Sequence, residues 1–202
     1  MKKLIPLLLV VLTFAACEKD PDTDKLDNKY LVYTNYDTKA DFKAFQTYYM
    51  PDSILIIGDK KEAEYWKDES AQEILQAYAT NMNNRGFVRV DDREEANLGL
   101  QVSYIKSTYY FNDYGRPEWW WNYPGNWGGW YYPYAVTYTY STGSFITELL
   151  NLEATQGEKE KLPILWTSYM SGLLSGSTAV NTKLAIEGVN QAYTQSSYLT
   201  NK

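Results

Sequence analysis

The sequence predicts an α+β domain: a mainly antiparallel sheet with two helices packed on one face, plus a long aromatic-rich loop. Three observations carry this expectation. Two segments with helical apolar spacing lie far apart, one at 70–85 and one near the C-terminus. Around and between them run short stretches rich in Val, Ile, Leu, Thr and Tyr, some alternating with period two. The later strands are separated by turn-length stretches, which suit antiparallel neighbours, whereas parallel neighbours need a long crossover.

The chain opens on a segment of another kind. Lys2 and Lys3 precede a largely apolar stretch from Leu4 to Phe14, followed by Ala15, Ala16 and Cys17. A positive start, an apolar middle and small residues before the cut make residues 1–16 a secretory signal. The stretch is shorter than the roughly 20 residues that a membrane span needs. Phe14-Ala15-Ala16-Cys17 resembles the lipobox of bacterial lipoproteins, with Phe14 where Leu is usual, so Cys17 is the expected lipidation site. Two or three acyl chains on that cysteine anchor a protein stably, where one chain is marginal. Residues 17–29 are polar and acidic, with one proline, and read as a tether. Acids behind the cysteine resemble the surface-export signal of Bacteroidota lipoproteins, which Pro21 interrupts. The expected location is the outer membrane, lipid-anchored, with the surface favoured over the periplasmic side.

Residues 30–202 read as a single domain. Tyr30–Tyr36 has strand composition, 37–41 is a turn, and Phe42–Met50 is a second extended segment stopped by Pro51. Residues 53–57 form a short apolar run of either type, and 60–68 are charged and read as loop. Ser70 and Glu73 form a capping box ahead of the first helix. Its apolar face is Ala71, Ile74, Leu75, Tyr78, Ala79 and Met82, with Gln72 and Gln76 toward water and Gly86 as the C-cap glycine. Phe87–Val90 is a short strand and 91–97 a polar turn. Leu98, Leu100, Val102 and Tyr104 then alternate with Gly99, Gln101 and Ser103, the pattern of a half-buried strand. Strand character resumes at Ala135–Ser141, again at Ser144–Leu152 after Thr142-Gly143, and at Pro163–Ser171 after a charged turn. Following a loop at 172–176, Ser177 or Thr178 caps a last helix with Ile186, Val189 and Tyr193 on its face, weakened by Gly188.

Composition narrows the function. The 19 Lys and Arg fall to 17 once Lys2 and Lys3 leave with the signal, against 25 Asp and Glu, a net of −8. So acidic a domain is not expected to bind nucleic acid through phosphates. There is no histidine, and acylation takes the single cysteine out of chemistry, which excludes His-based catalytic triads and imidazole metal sites. No phosphate-cradling glycine loop is present. Ser103 and Lys106 have the spacing of a serine–lysine pair, but residues three apart on a strand point to opposite faces. Asp91, Asp92, Glu94 and Glu95 are read as a solvated turn in preference to a cation site. No catalytic residue, metal or cofactor is assigned, and the protein is not expected to be an enzyme. Asp52-Ser53-Ile54 resembles the short O-glycosylation sequon of the Bacteroidota, which makes Ser53 a candidate glycosylation site.

Four segments together resemble the bacterial envelope lipoprotein family known as domain of unknown function 4136. They are Asn35-Tyr36-Asp37-Thr38-Lys39-Ala40-Asp41-Phe42 with Phe45-Gln46-Thr47-Tyr48, then Arg85-Gly86-Phe87 at the helix end, then Ala96-Asn97-Leu98-Gly99-Leu100-Gln101-Val102, and finally Gly143–Leu152 with Ile164-Leu165-Trp166. They span nearly the whole domain in the right order. An acidic position of the family corresponds to Glu148, and the usual Phe-Pro-Pro after the last helix is replaced by residues 193–199. The resemblance implies fold and location, and no activity.

From Tyr109 to Tyr134, 13 of 26 residues are aromatic, interrupted by Gly and Pro that break regular structure. Aromatic residues seek burial, which argues against disorder, and a loop this long is usually functional. It reads as a flap over its own sheet, as a contact surface for an envelope protein or the membrane interface, or as a stacking surface for sugar rings. Trp119, Trp120, Trp121, Trp127 and Trp130 are the candidate binding surface, with one or two of Trp119, Trp120 and Trp121 expected to face solvent. The leading expectation is a non-catalytic, lipid-anchored envelope protein that binds or scaffolds. The alternative is a glycan-binding surface lipoprotein that uses the aromatic loop.

Overall fold

A computed structural model describes residues 30–58, 63–106, 130–131, 133, 143–154, 162–172 and 177–202. Within them the α+β architecture holds, with an eight-stranded, mainly antiparallel sheet, two helices, and a ninth, two-residue strand beside it. The strands are β1 (Leu31–Tyr36), β2 (Thr47–Tyr49), β3 (Ile54–Ile57), β4 (Glu64–Trp66), β5 (Val88–Val90), β6 (Leu98–Ile105), β7 (Trp130–Tyr131), β8 (Ser144–Asn151) and β9 (Leu162–Ser171). The helices are α1 (Glu69–Asn84) and α2 (Thr178–Gln195).

β1, β9, β8 and β6 form the antiparallel body of the sheet. The other edge of β6 is shared by two strands in tandem: β2 pairs parallel with its first residues and β3 parallel with its last. The chain between them contains Pro51, which has no amide to donate to a ladder. Outside these, β5 pairs parallel with β2, and β4 pairs antiparallel with β3. The hairpin partner β4 lies where sequence composition suggested loop. The segment 42–50 also differs from expectation. Asp41 accepts a hydrogen bond from the Lys43 amide (3.1 Å) and winds Phe42–Ala44 into a 3-10 turn, so extended structure is confined to β2.

Both helices pack on one face of the sheet. From α1, Ala71, Ile74, Leu75, Tyr78, Ala79 and Met82 are buried while Gln72 and Gln76 are exposed, which is the face read from spacing. Its cap is Asp68 instead of Ser70. The Asp68 carboxylate accepts from the Ala71 amide (3.0 Å) and from Trp66 Nε1 (2.6 Å), and so ties the helix start to β4. At the other end, the Gly86 amide donates to Asn83 O (3.0 Å) and the Phe87 amide to Met82 O (3.2 Å), with Gly86 at φ +96°. This Schellman closure explains the glycine.

The core under the helices includes Tyr48, Leu98, Leu100, Val102, Phe145, Leu149, Trp166 and Met170 from the sheet, with Val189 and Tyr193 from α2. The Tyr78 hydroxyl meets Thr147 Oγ1 (2.5 Å), and Trp166 Nε1 donates to Ser196 Oγ (2.9 Å). Beyond α2 the tail folds back. Tyr198 stacks on Tyr36 at 3.7 Å, Leu199 is buried, and the Arg85 guanidinium donates to the carbonyls of Tyr193 and Leu199.

β6 departs from the half-buried pattern. Its polar alternates, Gln101 and Ser103, are as buried as its apolar ones, and so are Ser144, Glu148 and Thr167 on the neighbouring strands. Together with Leu55, Ile57, Ile105, Ile146, Leu150, Ile164 and Tyr169 they make the sheet's second face a buried layer too.

Candidate functional site: an apolar cleft between helices and sheet

At one end of the helix layer the packing opens. The elements that meet there are the end of β6, the start of β8, the β3–β4 hairpin, α1 and the start of α2. The gap is a cleft of about 360 Å³. Its wall is Ile56 of β3, Trp66 of β4, Ile74 of α1, Tyr104 of β6 and Phe145 of β8. The described polar residues that line it are Lys106, Thr178, Asn181 and the buried Thr182, with the turn residue Gly143.

Strand alternation builds this wall. Tyr104 and Phe145 are register partners in the antiparallel β6–β8 pair, so their side chains share a face. Trp66, placed by the β3–β4 hairpin, closes the group. Ring centroids are 5.1 Å apart for Tyr104–Phe145, 5.6 Å for Trp66–Tyr104 and 6.2 Å for Trp66–Phe145, in tilted or edge-on arrangements. Phe145 and Ile74 are buried in the floor, while Trp66, Tyr104 and Ile56 keep part of their surface open. Burial pushes the Tyr104 phenol above its ordinary pKa, so it is neutral near pH 7.

The rim is cationic. Lys106 is exposed, its backbone amide donates to Ile57 O (2.7 Å), and its ammonium has no ion pair among the described residues. α2 begins at the cleft without a capping hydrogen bond from the Ser177 side chain and without an acidic residue in its first turn. An N-terminus of that kind leaves amide dipoles directed outward.

Of the candidate site residues singled out from the sequence, Lys106 is the one found in the described lining of the cleft. Cys17, Trp119, Trp120, Trp121 and Trp127 are outside the described residues, as is the strand expected at Ala135–Ser141. The backbone of Trp130 forms β7, parallel to the first residues of β9. Ser53 precedes β3 and keeps only 4% of its surface exposed, so a glycan there would have to be added before folding or after local opening. Ser103 lies on the buried second face and Lys106 at the cleft on the other, as strand geometry requires. In the acidic turn, Asp92 caps a 3-10 turn at Arg93–Glu95 by accepting from the Glu94 amide (2.9 Å). Glu148 occupies the centre of the second face, in register with Gln101 on one side and Thr167 on the other.

Sequence patterns do not gather the cleft. Tyr104 is legible as an inward strand position, but Trp66 lies in a segment with loop composition, and the patterns that include Lys106 and Phe145 do not point to a shared site.

Comparison with known proteins agrees with this architecture. No curated protein sequence matches the chain. A crystal structure of a DUF4136 family protein from Bacteroides thetaiotaomicron is similar at 60% identity and a TM-score of 0.76, covering 87% of this chain and 100% of that one. A PelC dodecamer from Paraburkholderia phytofirmans is matched at 13% identity and a TM-score of 0.37, over 81% of this chain and 96% of that one. The model of the family described as a domain of unknown function (DUF4136) matches residues 32–196, and the chain belongs to that family.

Proposed function

We propose that this protein is a non-catalytic lipoprotein of the bacterial cell envelope, anchored in the outer membrane through an acylated Cys17, that acts by binding a ligand or partner. One observation carries the binding reading: the open, aromatic-lined cleft. Convergent apolar walls with a few polar groups at the mouth are the usual form of a ligand site. The described lining offers one ammonium and three neutral polar side chains, but no carboxylate, imidazole or thiol. With the Tyr104 phenol neutral, that set supports capture rather than proton transfer or nucleophilic attack.

The anchor is supported by the signal and lipobox-like sequence at residues 1–17 and by the polar tether behind it. None of the described helices is long and apolar enough to cross a membrane. Cys17→Ala should move the protein from the membrane to the soluble fraction and abolish acyl labelling. Unchanged fractionation would overturn the anchor. For the binding reading, a photoreactive residue at Thr178 should give a discrete adduct in intact cells. An adduct pattern no different from that of a probe at the exposed Lys183 would overturn it.

A further inference from the structure

We infer that the cleft takes a single-chain fatty acid, with the acyl chain against Trp66, Tyr104 and Phe145 and the carboxylate at the Lys106 rim. The inference rests on the binding reading above and names its ligand class.

Size is the first argument. At about 360 Å³ the cleft lies at the low end of small-molecule sites, enough for one slender chain and too small for a bulky headgroup with two chains. Chemistry of the wall is the second. Among the described residues, five apolar ones from four strands and α1 line it, three of them aromatic, and none of the five offers a charged partner for a polar ligand body. The third is charge complementarity at the mouth. The protein is acidic overall, at a net −6 for the full chain, yet among the described residues lining this cleft the one charged group is the Lys106 ammonium. The side chains of Thr178 and Asn181, on the first turn of α2, line the same mouth. A carboxylate there meets a cation, neutral donors and the positive end of a helix dipole together. A neutral or cationic headgroup would leave the ammonium unanswered or opposed.

The geometry also suits a ligand with one apolar end and one polar end. Phe145 and Ile74 close the floor, whereas Lys106 and Thr178 are exposed at the rim, so polarity rises from floor to mouth.

The test compares dodecanoate, dodecanol and dodecyltrimethylammonium, each below its micellar concentration. Titration calorimetry would use the chain carrying Cys17→Ser, kept free of detergent. Dodecanoate should bind most tightly, and its affinity should fall as salt is raised. Lys106→Gln should weaken dodecanoate about threefold to tenfold and leave dodecanol unchanged, as expected for one partly screened ion pair. Thr178→Trp, at an exposed position on the rim, should fill the mouth and abolish binding of all three while leaving the thermal midpoint unchanged. Equal affinity for the three compounds, unmoved by Lys106→Gln, would overturn the fatty acid while keeping an apolar site. No measurable binding of any of them, by a protein with a normal thermal midpoint, would overturn the binding reading of the cleft itself.

Discussion

Asn97 offers the sharpest test of how this fold is held. Its side-chain oxygen accepts from the backbone amides of Gln46 and Thr47, both at 2.9 Å, and from the Thr47 hydroxyl at 3.1 Å. Its Nδ2 donates to Glu153 Oε1 at 2.5 Å, and its backbone carbonyl accepts from the Leu152 amide at 2.9 Å. One half-buried side chain therefore starts β2, positions β6 beside it and holds the end of β8. Asn97→Ala removes three side-chain hydrogen bonds outright, while the single Thr47 hydroxyl proton keeps its other acceptor, Glu95 O at 2.9 Å. Each contributes about 0.5–1.5 kcal/mol net, and water replaces part of the loss because Gln46 and Glu153 are exposed. A destabilisation of about 2–4 kcal/mol follows, which lowers the thermal midpoint by about 4–16 °C in a domain of this size. Asn97→Asp separates the contributions. It keeps the acceptor for the two amides but loses the donor and sets a second negative charge against Glu153. It should therefore keep the two amide bonds of β2 but gain a repulsion at Glu153, and Glu153→Gln in the same chain should recover part of the loss. Urea unfolding followed by circular dichroism would measure both. A cost below about 0.5 kcal/mol for Asn97→Ala would refute the reasoning, since a loss that small is typical of an uninvolved surface residue.

Two further outcomes are expected. Gly86→Ala should destabilise by about 1–3 kcal/mol in the same assay, since the position needs φ +96° and an added Cβ would lie 3.0 Å from Asn201 Oδ1 and 3.1 Å from Lys202 Cγ; amide exchange should show the C-terminal tail loosening first. At high pH the buried phenols should drive unfolding. Burial pushes Tyr48 from 10.0 to about 12 and raises Tyr78 and Tyr193 as well, so their neutral forms are favoured in the folded state. That stability is complete below about pH 10 and is lost as pH rises toward 12, and spectroscopic titration should show these tyrosines ionising together with unfolding, whereas ionisation with the fold intact would contradict their burial.

Local physics makes much of this protein readable from its residues. The face of α1 follows from 3.6-residue spacing, and Gly86 marks the helix end because only a glycine adopts that backbone angle cheaply. Alternation places Leu98, Leu100, Val102 and Tyr104 on one face of β6, and the short link between β8 and β9 foretells their antiparallel pairing. The absence of histidine limits the chemistry whatever the fold. Other features depend on contacts distant in sequence. The cap of α1 goes to Asp68 because Trp66 and Ala71 both converge on its carboxylate, a competition with Ser70 that no local pattern ranks. The parallel pairings of β2 and β3 along one edge of β6 depend on which edge is open. Gln101, Ser103 and Glu148 look solvent-facing in a strand read alone, yet the sheet buries both of its faces. The cleft is the plainest case. Ile56, Trp66, Ile74, Tyr104, Lys106, Phe145 and Thr178 span over a hundred residues of chain, and each has an ordinary local role. Only the meeting of two strand ends, a hairpin and two helices makes them the wall and rim of one site, because a cavity is a property of packing and has no period in the sequence.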